Sequence, residues 1–196
     1  MDLTSFLNAT GHTLVEGHCQ QIPRQSETLI QLTNKPNINV MEIGFNGGHS
    51  ADTFLRNNGT LTLTSFDLGC HNYVATGKKY IDMVYPNRHT LILGDSRTTV
   101  PAFIYKNKDV KFDLIFVDGG HCYDVAIADL ENCSRLAHSD TIVIIDDTVF
   151  TPGWEKPYTI GPSQAWSEFL RNKRVVELGR VDYEVGRGMC WGKYVL

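Results

Sequence analysis

The chain has 196 residues, of which 42% are hydrophobic and 20% are charged, as is typical of one soluble globular domain. The formal net charge of −4 argues against a nucleic-acid partner bound by non-specific electrostatic attraction. No apolar run approaches the roughly 20 residues that cross a bilayer, and the first residues lack the features of a signal peptide. Five cysteines without a CxxC pair indicate reduced thiols, so we expect a cytoplasmic protein.

The first 35 residues differ in character from the rest. Apolar residues spread over 14–32 predict one or two amphipathic helices, and residues 25–32 are the better candidate. Pro36 then breaks the chain ahead of the first strand. We therefore divide the chain into an N-terminal helical extension, residues 1–35, and a main domain, residues 36–196. The extension is either a helical layer packed on the sheet or a lid over a substrate pocket or a dimer contact.

From residue 39 onward, strands and helices alternate. Seven short strands rich in β-branched and aromatic residues are predicted at 39–45, 61–67, 90–95, 112–118, 141–146, 175–181 and 189–195. Helices are predicted between them at 50–56, 73–84, 99–105, 123–137 and 164–171. The last two strands should pair antiparallel, because their link is too short for a helical crossover. We predict an α/β fold, a three-layer α-β-α sandwich whose seven-stranded sheet is mostly parallel with an antiparallel last strand.

A glycine-rich turn follows the first strand, within Val40–Ser50, and a helix begins just after it. Such a turn presents backbone N–H groups to a nucleotide-like ligand. Its spacing is not G-x-G-x-x-G, because Glu42 stands two residues before Gly44 and the next glycines are Gly47 and Gly48. A negative charge at that point suits a cofactor with a cationic centre better than a nicotinamide dinucleotide.

Acidic residues end five of the predicted strands, where an open α/β sheet binds its ligands. These are Glu42, Asp67, Asp95, Asp118 and the pair Asp146-Asp147. One such acid is as often a turn or cap residue, but five at equivalent positions are hard to explain by capping alone. Asp67 has the spacing of an acid that binds the ribose hydroxyls, and Asp95-Ser96 would meet an adenine ring.

Together these motifs resemble the class I S-adenosylmethionine-dependent methyltransferases. Five segments carry the resemblance in the order and spacing of that family: Val40–Ala51, Phe66–Asp67, Gly94–Ser96, Phe112–Tyr123 and Ile144–Thr148. It covers about residues 22–196 and is closest to the metal-dependent O-methyltransferases of the catechol and caffeoyl-CoA type and their bacterial small-molecule relatives. The resemblance implies a Rossmann-like methyltransferase fold, S-adenosylmethionine as methyl donor and a small-molecule hydroxyl group as acceptor.

The resemblance also implies which residues bind. The cofactor set comprises Glu42, Gly44, Phe45, Asn46, Gly47, Gly48, Ser50, Asp67, Leu68, Asp95, Ser96 and Asp118, although Ser50 has helix capping as its alternative role. Three carboxylates are assigned to a divalent metal: Asp118, Asp146 and Asp147. An all-carboxylate set favours Mg²⁺, or else Mn²⁺ or Ca²⁺, over zinc. Alternatively, Asp147 caps the following turn and only the other two acids matter.

His121 lies three residues after Asp118, the offset at which catechol-type relatives carry a catalytic lysine. The resemblance therefore implies that His121 takes the proton of the acceptor hydroxyl, which an imidazole can do at neutral pH. Its alternatives are a wall of the adenine pocket or a loop residue bonded to backbone. In the proline-rich loop 148–162, Trp154 and Tyr158 either line the acceptor pocket or anchor the loop to the domain.

The sequence thus favours a metal-assisted O-methyltransferase that acts on a hydroxylated small molecule, with no membrane or nucleic-acid partner. A metal-independent methyltransferase acting on another nucleophile and a non-catalytic cofactor-binding module stay open as alternatives. A nicotinamide-dependent reductase is disfavoured by the spacing of the glycine-rich turn. Because insertions are few, the acceptor pocket is either open or completed by a second subunit in a homodimer.

Overall fold

A single seven-stranded sheet organises the computed structural model, which describes all residues 1–196. The strands are β1 Asn39–Ile43, β2 Thr62–Asp67, β3 His89–Leu93, β4 Phe112–Val117, β5 Ala137–Asp146, β6 Val175–Glu184 and β7 Arg187–Tyr194. Their order across the sheet is β3-β2-β1-β4-β5-β7-β6. β1 to β5 pair in parallel, whereas β7 runs antiparallel to both of its neighbours. The predicted sheet architecture is therefore confirmed.

Helices cover both faces of the sheet. They are α1 Leu3–Ala9, α2 Pro23–Leu32, α3 His49–Asn57, α4 Val74–Val84, α5 Ser96–Lys106, α6 Tyr123–Ser134 and α7 Pro157–Arg171, with a short 3-10 helix at Cys19–Gln21. Successive residues of a strand point to opposite faces, so Val40 joins the core under α1 to α4 and Met41 joins the core under α5 to α7. Burial on both faces explains why the central strands are almost continuously apolar.

Several boundaries differ from the predictions. The predicted loop 148–162 is wrong over its last six residues, because α7 begins at Pro157 and contains Pro162. Pro157 is tolerated as the first residue of α7, because the N–H that proline lacks would have had no partner in the helix. The helix predicted to end at residue 137 ends at Ser134. The last two strands are longer than predicted and are joined by a tight turn, in which Gly186 has a φ of 75°.

Residues 1–35 contain α1, the short 3-10 helix and α2, and the first of these begins earlier in the chain than the predicted helical segment 14–32. The predicted helix 25–32 is confirmed as the greater part of α2. No pattern predicted α1, although its Leu3 and Leu7 are fully buried in the core. Leu14, in contrast, is 89% exposed and belongs to no helix. None of the helices combines the length and apolar character needed to cross a membrane.

Candidate active site

A crevice of about 700 Å³ opens at the carboxyl ends of the parallel strands. Its walls come from the loops after β1 to β5, from the β6–β7 turn and from the N-terminal extension; they include Gly44, Asp67, Asp95, Asp118, Asp147 and Arg187. This is the place where open α/β sheets bind ligands. The strand-end acids of the sequence thus face a common space, with the exceptions described below.

The glycine loop, residues 44–48, is tied to both neighbouring strands. The Gly44 amide donates to the Phe66 carbonyl at 2.7 Å. Gly44 has a φ of 100°, and a Cβ at this position would lie 1.7 Å from the Asp118 carbonyl oxygen. The Asn46 amide donates to Asp67 Oδ2 at 2.8 Å. The loop therefore holds its backbone against the ends of β2 and β4, with Gly44 and Asn46 in the crevice wall.

Asp67 and Asp95 occupy one end of the crevice, beside β2 and β3. Asp67 accepts from the amides of Asn46 and Gly69, at 2.8 and 2.7 Å, and these bonds fix its carboxylate. Asp95 caps α5 through the Arg97 amide at 2.9 Å and pairs with the Arg97 guanidinium at 2.6 Å. Leu68, Ser96 and these two acids line the wall, so the predicted ribose and adenine residues lie together. Their contact with a cofactor stays a prediction.

Glu42 lies behind the crevice wall instead of in it. Its carboxylate is fully buried and accepts from Ser50 Oγ at 2.7 Å and from Ser65 Oγ at 2.6 Å. Burial raises the pKa of Glu42 to about 7, although both serines oppose that shift. The bond from Ser50 links the start of α3 to the sheet. In this geometry the Glu42 side chain supports the glycine loop from behind. Its buried carboxylate is not in position to contact a cofactor in the crevice.

Four other predicted cofactor residues also lie outside the wall: Ser50, which bonds Glu42, and Phe45, Gly47 and Gly48. Phe45 is 1% exposed and stacks on His89 at a ring separation of 5.1 Å, so its ring belongs to the core. Gly47 and Gly48 form the turn into α3, and Gly48 has a φ of 89°. Any contact these residues make with a cofactor would come through backbone groups, and it stays a prediction.

Glu42→Gln tests the buried carboxyl by the pH dependence of stability. The folded protein keeps the Glu42 proton up to about pH 7, whereas the unfolded chain loses it near pH 4.5. The stability of the native protein should therefore fall, relative to the neutral glutamine variant, by about 3 kcal/mol as the pH rises through this window. Urea unfolding at several pH values measures the difference. Parallel pH curves for the two proteins would contradict the assignment.

A compact cluster lies between the ends of β4 and β5. Asp118, His121 and Asp147 each offer one ligand atom, and these atoms lie within 4.8 Å of one another. His121 Nε2 is 2.9 Å from Asp147 Oδ2, and this bond raises the pKa of the imidazole. Burial and the charges of the two neighbouring aspartates raise the pKa of Asp118. Asp147 itself has a φ of 53°, which turns its side chain out of line with β5.

Asp146 also lines the crevice, but its two oxygens are taken by another residue. Gln25 Nε2, on α2, lies 2.8 Å from Oδ1 and 2.7 Å from Oδ2 of Asp146. Burial first, and then the charge of Asp147, raises the pKa of Asp146 to about 7. The structure thus brings two of the three predicted metal residues together with His121 and leaves Asp146 beside Gln25. Metal binding by all three aspartates stays a prediction.

Sequence reasoning missed several residues of this region, among them four from the N-terminal extension and the β6–β7 turn. Glu16, Gly17 and Arg187 line the crevice, and Gln25 contacts Asp146. All four come from segments outside the recognised motifs, and no local pattern marked them. Of the two predicted acceptor-pocket aromatics, Tyr158 lines the crevice, 5.7 Å from the His121 ring, and Trp154 does not.

A family model described as a methyltransferase domain matches residues 41–148, which is more than half of the chain. The chain belongs to the methyltransferase domain family. The matched segment contains the glycine loop and every strand-end acid described above. It stops before α7 and the last two strands. No curated protein matches this methyltransferase in sequence.

Solved structures resemble the chain over nearly its whole length. The O-methyltransferase from Bacillus cereus in complex with SAH is 20% identical, with a TM-score of 0.76 over 98% of this chain and 90% of that chain. Cofactor-bound Rv0187 from MTB is 16% identical, with a TM-score of 0.76 over 98% and 87%. A proposed caffeoyl-CoA O-methyltransferase from Staphylococcus aureus is 13% identical, with a TM-score of 0.72 over 100% and 93%. The fold is therefore that of the class I S-adenosylmethionine-dependent methyltransferases.

Proposed function

We propose that this methyltransferase moves the methyl group of S-adenosylmethionine to a hydroxyl group of a small molecule, with help from a divalent metal. The family match and the fold support the methyl donor. The cluster of Asp118, His121 and Asp147 is the observation that carries the choice of oxygen as acceptor and of metal assistance. Two carboxylates and an imidazole in the wall of a crevice suit the binding and deprotonation of a hydroxyl group.

The cofactor would lie along the crevice from β3 to β4. Asp67, already held by two backbone amides, has free lone pairs for a ribose hydroxyl pair. The glycine loop brings backbone groups close because Gly44 has no side chain. The Bacillus cereus relative was solved with SAH, the demethylated cofactor, which supports the same ligand here.

The donor set of the cluster fits a divalent metal. Asp147 Oδ1 receives no hydrogen bond from the protein. Asp146, which is buried, and Asp118, which is partly buried, lie beside it, so the acids repel one another without a cation. Oxygen ligands select Mg²⁺ or Mn²⁺ over zinc, and a nearby imidazole is more compatible with Mn²⁺ than with Ca²⁺. A metal bound here would lower the pKa of an acceptor hydroxyl and help to orient its oxygen.

His121 is proposed as the general base. Its Nε2 faces Asp147, and when the proton sits on that nitrogen, Nδ1 carries the lone pair that can accept a proton. Asp147 then orients the imidazole and stabilises its charged form, as a carboxylate does behind other catalytic histidines. The His121 side chain is 47% exposed, so an acceptor in the crevice can reach it.

We also propose that the N-terminal extension, residues 1–35, completes the site of the catalytic domain, residues 36–196, as a lid. Glu16 and Gly17 line the crevice, and Glu16 Oε2 is 3.4 Å from His71 Nε2 in the loop after β2. From the same extension, Gln25 bonds Asp146 at the other side of the site. The extension therefore supplies residues to both ends of the crevice.

The deciding experiment is a calorimetric titration of the metal-free protein with SAH, followed by assays of methyl transfer to hydroxylated small molecules with and without a chelator. We expect SAH to bind, and we expect chelation to lower turnover at least tenfold until Mn²⁺ or Mg²⁺ is restored. Absence of SAH binding would sink the proposal. Full activity after chelation would favour a metal-independent enzyme, and SAH binding without metal binding or turnover would favour a binding module.

His121→Gln tests the base. Glutamine keeps a donor toward Asp147 but cannot accept the acceptor's proton, so kcat should fall by roughly a hundredfold or more. In the native enzyme, kcat should rise with pH through a pKa above the usual 6.5, because the neutral imidazole is the active form. That limb should disappear in the variant. If the variant instead binds Mn²⁺ more than tenfold more weakly, His121 is a ligand and the assignment as base is wrong.

A further inference from the structure

Arg187 is the one arginine or lysine that lines the crevice near Asp118, Asp146 and Asp147, and it has no role in the proposed methyl transfer. It is the first residue of β7 and pairs with Glu184 across the β6–β7 turn. Met189, two residues further on, pairs with Asp146. Arg187 therefore lies just past the end of β5, on the far side of the acid cluster from the cofactor end at β2 and β3.

The backbone around Arg187 is fixed on both sides. Tyr158 Oη donates to the Gly186 carbonyl at 2.9 Å, and the Thr148 amide donates to the Gly188 carbonyl at 3.1 Å. Arg187 Nη1 lies 2.8 Å from the place where a Cβ on Gly17 would stand, so the guanidinium packs against the backbone of the N-terminal extension. These contacts hold the side chain between the turn and the lid.

The guanidinium has no protein partner in this position. No carboxylate lies within 4.0 Å of it, and none of its five N–H donors makes a hydrogen bond to the protein. Its cross-strand neighbour Glu184 is exposed, and its carboxylate forms no ion pair with the Arg187 guanidinium. Arg187 lines the same crevice as Asp118 and Asp146, so it faces the site. A divalent ion on the acids would leave this cation as the group that attracts an anion.

From this geometry we infer that Arg187 binds an anionic group of the acceptor, a carboxylate or a phosphate, while the acceptor's hydroxyl group meets His121 and the acid cluster. The inference rests on the proposed function and narrows its substrate to anionic hydroxylated small molecules. A guanidinium is suited to this because its planar pair of N–H donors matches two oxygens of a carboxylate or phosphate. The cofactor's own carboxylate is the competing ligand, and the experiment separates the two.

The test uses two pairs of acceptors that differ in charge: 3,4-dihydroxybenzoate with 3,4-dihydroxybenzamide, and glucose 6-phosphate with glucose. Calorimetric titration of the protein loaded with SAH and Mn²⁺ should show that at least one anion binds roughly tenfold to a hundredfold more tightly than its neutral partner. Arg187→Gln should abolish that preference and leave the affinity for the neutral partner unchanged. Arg187→Lys should restore only part of it, because the charge returns without the planar donor pair.

Lys193→Gln is the matched control, because it removes a positive charge from the exposed far end of the same strand, where Lys193 pairs with Asp140. It should bind all four probes as the native protein does. The inference is overturned if the native protein prefers neither anion, or if Arg187→Gln keeps the preference. It is also overturned if Arg187→Gln weakens SAH binding instead, since the residue would then bind the cofactor carboxylate. Failure of the native protein to bind SAH at all is a separate result and would reject the proposed function itself.

Discussion

Asp118→Asn should reduce methyl transfer by at least about a hundredfold and at the same time make the metal-free protein more stable. Asp118 contributes to the compact cluster, and an asparagine there keeps the size of the side chain but removes a charge from the proposed metal site. In the absence of metal, the same carboxylate is partly buried near Asp146 and Asp147, and repulsion among the three carboxylates disfavours its ionised form. Removal of one charge relieves that repulsion, which should raise the free energy of unfolding by on the order of 1 kcal/mol.

The opposite signs make this prediction specific. Thermal unfolding with and without Mn²⁺ should show a metal-dependent rise in Tm for the native protein and little or none for Asp118→Asn. Asp140→Asn is the control, because Asp140 is an exposed acid at the other end of β5 and pairs only with Lys193. It should change neither activity nor the response to metal. A variant of Asp118 that is less stable without metal, yet still active and still stabilised by metal, would contradict a metal role for the cluster.

Most of the sheet could be predicted because its signals are local. Alternating apolar strands and helices, each closed by an acid or a glycine, determine the order of the elements and the crevice at their carboxyl ends. The direct contact predicted for Glu42 shows the limit of this reasoning. The residue stands at a strand end like the others, but its side chain points behind the wall, and only the positions of Ser50 and Ser65 reveal this.

The remaining parts of the site depend on contacts between distant segments. Gln25 and Asp146 are 121 residues apart in the chain, and a glutamine on an amphipathic helix has no feature that marks it as an active-site residue. Arg187 follows the tight turn between β6 and β7, whereas the sequence predicted a longer link over residues 182–188. The start of α7 at Pro157 was hidden by a segment rich in proline and glycine, in which loop and first-turn proline look alike. These features can be recognised only in the folded structure.

Gly44→Ala should be the most disruptive single-methyl change in the chain. At a φ of 100°, alanine is already strained, and its Cβ would stand 1.7 Å from the Asp118 carbonyl oxygen. Since that oxygen belongs to backbone at the end of β4, relief requires the glycine loop to move away from the strand. We expect a loss of about 4 kcal/mol or more in unfolding free energy, together with loss of SAH binding.

Gly11→Ala separates the two causes. Gly11 has a similar φ of 91°, but a Cβ there would meet nothing within 4 Å, so only the backbone strain remains. That variant should lose about 1 to 2 kcal/mol and bind SAH as the native protein does. Urea unfolding and calorimetric titration of both variants give the comparison, and Gly153→Ala, with a φ of 81° and equally open surroundings, repeats the control.

Equal losses of unfolding free energy in Gly44→Ala and Gly11→Ala would mean that the glycine loop does not depend on close approach to Asp118. A larger loss at Gly44 alone would assign the glycine to that contact. It would also explain why the glycine loop and the end of β4 pack against each other without a side chain between them.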